Sequence, residues 1–135
     1  MGFFAVGVVV SACASVGHTW QDEFTARLEG ASASFEEALD ELRTETSDIG
    51  YPQTFIPLAR TLSFKAELIE ELDPPEGCQA VQEQGLDQVQ GFAGDSSVIP
   101  RSMTPELERR LPAILKDEIG NLETLEREAE TCATG

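Results

Sequence analysis

Apolar residues recur through most of this chain at alternating steps of four and three, a period that leaves little besides helices packed together by one face. The clearest run is Phe24, Leu28, Ala31, Phe35, Ala38 and Leu42. It predicts one helix from about Trp20 to Glu45, with Thr19 as N-cap, Asp22 as a weak capping-box partner and Gly30 carried inside. Trp20 stands four residues before Phe24 and is assigned to the core. Ser47 to Gln53 contains Gly50 and Pro52 and reads as a turn. Thr54 then caps a second helix with Pro57 in its first turn, where a missing N–H does no harm. Its apolar face is Phe55, Leu58, Leu62, Ile69 and Leu72, broadened by Phe64 and Leu68. It should stop at Asp73, because a residue before proline is pushed out of the α region.

A third helix is expected from Pro74 or Pro75 to about Phe92, carrying Cys78, Val81, Leu86, Val89 and Phe92 inward. Its surface is Gln-rich, with Gln79, Gln82, Gln84, Gln88 and Gln90. Ala93 to Met103 reads as the longest connection, and Val98 and Ile99 within it as a plug for one end of the fold. Thr104-Pro105-Glu106 sets cap, proline and first-turn acid in order. The fourth helix follows with Leu107, Leu111, Ile114, Leu115, Ile119, Leu122, Leu125 and Ala129, reaching Cys132 and kinked or restarted at Pro112. With four amphipathic helices and no convincing strand pattern, the expected fold is all-α, an up-down-up-down four-helix bundle over residues 20–135.

Ahead of the bundle, Gly2 to Ala12 is uncharged, small and apolar. It is too short to span a bilayer, which takes about 20 residues, and has the length of a signal-peptide h-region, about 7–15 residues. It ends in Val10-Ser11-Ala12-Cys13, an aliphatic residue, two small ones and a cysteine, and this resembles the lipobox of bacterial lipoproteins. The resemblance implies a signal peptide over residues 1–12, a diacylglyceryl and palmitate-type modification of Cys13, a lipidated tether over 13–19, and an anchor on the extracytoplasmic face of the cell membrane. One departure from the pattern is that no Lys or Arg stands between Met1 and the apolar run. Ala12-Cys13-Ala14 also matches the A-x-A site of ordinary secretory cleavage, which would release the protein, and an intracellular chain with an apolar N-terminus is the third reading. Seven Arg against two Lys (Lys65 and Lys116), with the single Asn121, resemble the bias of a high-GC, actinobacterial-type genome.

The cysteines stand at 13, 78 and 132. An odd cysteine in an exported protein needs an explanation, and acylation of Cys13 leaves an even pair. In an up-down-up-down bundle the start of helix three and the end of helix four lie at the same end, which is where Cys78 and Cys132 fall. A disulfide between them is expected outside the cytosol, stabilising by about 4 kcal/mol in the chain-entropy model. Two buried free thiols are the alternative.

With 25 acidic against 9 basic residues, the net charge of −16 opposes binding to nucleic acid and adsorption to anionic lipid or cell-wall polymer. A covalent tether would hold such a protein at the envelope. The only histidine, His18, lies in the tether, so a Ser-His-Asp or Cys-His machine in the bundle lacks its base. The same absence removes the Glu-x-x-His motifs of ferritin-like di-iron bundles. No zinc set and no glycine-rich phosphate loop is present, so no catalytic residue, metal ligand or cofactor is assigned. Two acidic ridges remain, Glu36, Glu37, Asp40 and Glu41 on helix one and Glu67, Glu70, Glu71 and Asp73 at the end of helix two. The second crowds a helix C-terminus, which disfavours acids, a placement mildly suggestive of a cation or basic partner nearby. The function expected is that of a non-enzymatic envelope lipoprotein whose bundle binds an envelope protein or a small ligand. The alternatives are an acidic-face binder of divalent cations or basic ligands, and a plainly secreted helical protein.

Overall fold

The four-and-three stripes pack against one another as four antiparallel helices in sequential order. A computed structural model describes the backbone of residues 2–44, 50–101 and 103–134, and the side chains of 19–43, 54–101 and 103–134. The elements are α1 (Gly2–Thr44), α2 (Gly50–Glu70), α3 (Gln79–Val98) and α4 (Pro105–Thr134), with a 3-10 turn at Ile99–Arg101. α1 packs on α2 and α4, and α3 packs on the same two from the opposite corner. This is the up-down-up-down bundle, and the described residues contain no strand.

Every residue of the α1 stripe is buried, Phe24, Leu28, Ala31 and Phe35 completely. Gly30 lies inside the unbroken helix, as expected. Thr19 does not cap anything, because α1 is already helical ahead of it. The reason is cooperative: no proline intervenes, and extending a helix is cheaper than nucleating a new one. Trp20 is buried and stacks on Phe24, ring centroids 4.8 Å apart. The apolar face of α2 is buried as expected at Phe55, Leu58, Leu62, Ile69 and Leu72, together with Ala66, but Phe64 is 58% exposed and does not widen it. α2 also begins a turn earlier than Thr54, at Gly50, so Gly50 to Gln53 are helical. Pro52 is therefore the first-turn proline, while Pro57 is interior and removes one N–H from the ladder. The rest of the expected turn, up to residue 49, lies outside the described residues.

α3 departs most from expectation. Residues 74–78 are not helical, and Cys78 occupies the N-cap position. Asp73 and Pro74 each precede a proline and are pushed out of the α region. Gly77 then takes φ 95°, in the left-handed region that favours glycine. At its other end, Ala93 to Val98 are helical rather than a connection, and only residues 102–104 separate the 3-10 turn from α4. The buried stripe runs Cys78, Gln82, Gly85, Val89, Phe92, Ser96 and Ile99. Its helical period was hidden because three of its members are Gln, Gly and Ser. Of the expected plug, Ile99 is buried while Val98 is 53% exposed.

α4 starts as the sequence implies, with the Leu107 N–H donating to the Thr104 Oγ1 at 3.1 Å. It continues through Pro112 as one element rather than restarting there. Leu111, Leu115, Leu122, Leu125 and Ala129 are buried, with Leu107, Ile114 and Ile119 partly so.

Gly85 decides how closely α3 approaches α1 across the core. A methyl group there would sit 2.8 Å from the Phe24 Cζ and 3.4 Å from the Leu28 Cδ2. Phe24 is fully buried under Trp20 and has nowhere to go. At Gly91 and Gly120 an added methyl meets nothing within 4 Å. Gly85→Ala should therefore lower the thermal melting temperature although alanine favours a helix over glycine by about 1 kcal/mol, whereas Gly91→Ala and Gly120→Ala should raise it. Equal gains at all three positions would show that α3 does not pack on Phe24 through Gly85.

Candidate functional site

A disulfide and a buried amide link the helices at the end of the bundle where α1 enters from the cysteine-containing N-terminal segment. Gln82, expected on the surface, is buried on the inward stripe of α3. Its Oε1 accepts from the Trp20 Nε1–H at 2.7 Å, and its Nε2 donates to the Leu72 carbonyl at 2.8 Å. One amide thus joins α1, the chain leaving α2, and α3. The signal for it was present: Gln82 falls four residues after Cys78 and three before Gly85, on the same helical stripe.

Cys78 and Cys132 are joined by a disulfide, with Cα atoms 5.4 Å apart, closing a loop of 54 residues between the start of α3 and the end of α4. Parity and topology had both placed it there. The Cys78 side chain is fully buried. The Cys13 backbone lies within α1, and its side chain, like those of Val10, Ser11, Ala12 and His18, lies outside the described residues.

The acidic crowding at the end of α2 has its basic partner within the chain. The Arg27 guanidinium donates to the Leu68 carbonyl and stands 3.6 Å from a Glu71 carboxylate oxygen. Leu68 is among the last four carbonyls of α2, which have no partner inside the helix, and a cation there also suits the macrodipole. The remaining ridge residues, Glu36, Glu37, Asp40 and Glu41 on α1 and Glu67, Glu70 and Asp73 at α2, are exposed. Among the described residues, no three His, Cys, Asp or Glu side chains converge as a metal site.

Two acids on α4 are shielded from water instead. Burial pushes the Glu118 carboxyl above the usual carboxylate range, opposed by a hydrogen bond from the Gln88 amide and reinforced by Asp95 and Asp117. Burial raises Glu126 as well, with Glu29 of α1 and Glu123 adding to it and Arg127 opposing. One Glu126 carboxylate oxygen is buried without a hydrogen-bond partner. Between α3 and α4 runs an open groove lined by Gln84, Asp87, Gln88, Asn121, Thr124 and Glu128 over Leu125. Its polar lining is three amides, one hydroxyl and two carboxylates, all able to offer hydrogen bonds.

Both raised carboxyls hold their proton more tightly in the folded chain than in the unfolded one. Their contribution favours folding below the ordinary carboxylate range and is lost as pH rises through the raised folded value. Glu126→Gln should therefore melt above the parent at about pH 7–8 and converge with it near pH 4. A difference that stays constant across that range would assign the effect to packing. No described helix is long and apolar enough to cross a membrane. Compared with known proteins, the chain matches no family model, no curated protein and no solved structure.

Proposed function

We propose that this protein is an envelope lipoprotein, held at the extracytoplasmic face of the cell membrane by acylation of Cys13, whose bundle is a non-enzymatic interaction module for an envelope protein or a small ligand. The observation that carries the reading is Val10-Ser11-Ala12-Cys13 at the end of an uncharged apolar run. The Cys78–Cys132 disulfide supports it twice. Such a bond persists in oxidising compartments, and it leaves Cys13 as the one cysteine still needing a role. The charge of −16 makes a covalent anchor useful, since a protein that anionic lipid repels does not stay at a membrane by adsorption.

Two anchoring signals are normally needed for stable attachment, because a single acyl chain binds only marginally. The diacylglyceryl group supplies two chains on one sulfur and meets that requirement without help from the acidic bundle. The reading of the acidic ridges as a site for divalent cations or basic ligands has less behind it. Arg27 already faces the α2 ridge, and the described residues assemble no metal-ligand set.

Fatty-acid labelling with cell fractionation tests the anchor. The parent should take up label and sediment with membranes, while Cys13→Ala should lose the label and move to the soluble fraction with its Cys78–Cys132 disulfide intact. A Cys13→Ala variant still bound to membranes would refute the lipid-anchor reading, and release of the parent chain into the medium without label would favour plain secretion.

A further inference from the structure

Three large apolar side chains of the described residues are exposed: Ile56 at 51%, Phe64 at 58% and Val98 at 53%. All three belong to α2 or the end of α3. Phe64 borders a groove between those two helices, whose α3 wall is Gln90, Ala93, Gly94 and Ser97. The short side chains of Ala93, Gly94 and Ser97 leave room for an aromatic ring approaching from outside.

The charges on that face are few and have a particular order. Arg60 and Glu67 both line the groove and lie two turns apart on α2, one on each side of Ser63 and Phe64. Neither has an ion-pair partner among the described residues, where Arg27–Glu71 is the salt bridge found. A two-fold axis running outside the chain across the face of α2, perpendicular to the helix at the level of Ser63 and Phe64, brings Arg60 opposite Glu67 of another copy, and Glu67 opposite its Arg60. The stripe is therefore complementary to itself when two copies meet with α2 antiparallel. Isologous contacts of this kind are the commonest way soluble chains pair.

From this we infer that the α2–α3 face is a homodimer interface, with Phe64 of each copy seated among the small residues of its partner and Arg60 paired with the partner's Glu67. Elsewhere the excess of 16 negative charges makes two copies repel. On this face opposite charges meet across the axis, so association is steered to one register. The extent is adequate: two helices of about 30 Å lying about 10 Å apart present roughly 600 Å² in projection, near the scale of one partner's share of a standard interface, about 800 Å². Restriction to a membrane surface would raise the effective concentration of the partners, but the pairing rests on this face and not on the anchor.

Site-directed cross-linking of the full-length chain in intact cells tests it, read on total protein so that attachment or release of the chain does not affect the outcome. Ser63→Cys lies beside the proposed axis, within the roughly 7 Å that a disulfide can bridge, and should give a cross-linked dimer on mild oxidation. Gly120→Cys, exposed on α4, should not. Adding Glu67→Arg or Arg60→Glu to Ser63→Cys should lower the cross-linked fraction at least about fivefold through like-charge repulsion, and combining both should restore it to within about twofold. A Ser63→Cys chain that stays monomeric, cross-linking equal to that of Gly120→Cys, or no recovery in the double charge exchange would each overturn the proposal.

Discussion

Gln82 places both halves of its amide inside the bundle, where a hydrogen-bonding group left unsatisfied costs about 1–3 kcal/mol. Its two bonds reach the Trp20 indole and the Leu72 carbonyl, so one residue of α3 fixes the height of α1 and the path by which the chain leaves α2. The surrounding links follow from that arrangement. Trp20 held by Gln82 lies flat on Phe24. Phe24 fills the space that Gly85 leaves on α3, one turn from Gln82. Cys78, one turn before Gln82, then faces Cys132 at the end of α4. Arg27 completes the set by capping α2 from α1. Covalent, aromatic and polar contacts therefore tie all four helices at the end where α1 enters, and the cysteine bridge stands at this end rather than at the one near Phe55 and Ile99.

A lipid anchor would give this asymmetry a use. A bundle carrying 16 net negative charges would stand away from an anionic surface, so any pull on such a tether would be delivered through α1 into the bundle. The helix receiving it would be gripped at Trp20. The face proposed for pairing, on α2 and α3, lies along the side of the bundle and stays accessible whichever end is nearer the membrane.

Much of the fold was legible because apolar spacing alone specifies it. The α1 stripe, the α2 face and the α4 cap at Thr104 follow directly from residue type and period. Cys78 and Cys132 were paired from parity and from the order of helices, without geometry. What escaped was the middle of α3. Gln82, Gly85 and Ser96 occupy core positions with residues that a hydrophobicity pattern scores as surface or loop, so the helix looked shorter and its polar face looked rotated. Gln82 is there for its two hydrogen bonds and Gly85 for its lack of a side chain, and neither reason can be read before the neighbours are known. The Ser96 hydroxyl, fully buried without a partner, is a cost for which the structure offers no return. Phe64 erred the other way, an aromatic ring credited to the core that faces outward.

Native-state hydrogen exchange tests the fastening of this end most directly. Backbone amides around Phe24, Gly85 and Ala129 should exchange only through global unfolding, and those around Phe55 and Ile99 through smaller local openings. Gln82→Met, which keeps the volume but strands the Trp20 N–H and the Leu72 carbonyl, should bring the first group down toward the second. Protection that is uniform along the bundle, or that Gln82→Met leaves unchanged, would contradict the account.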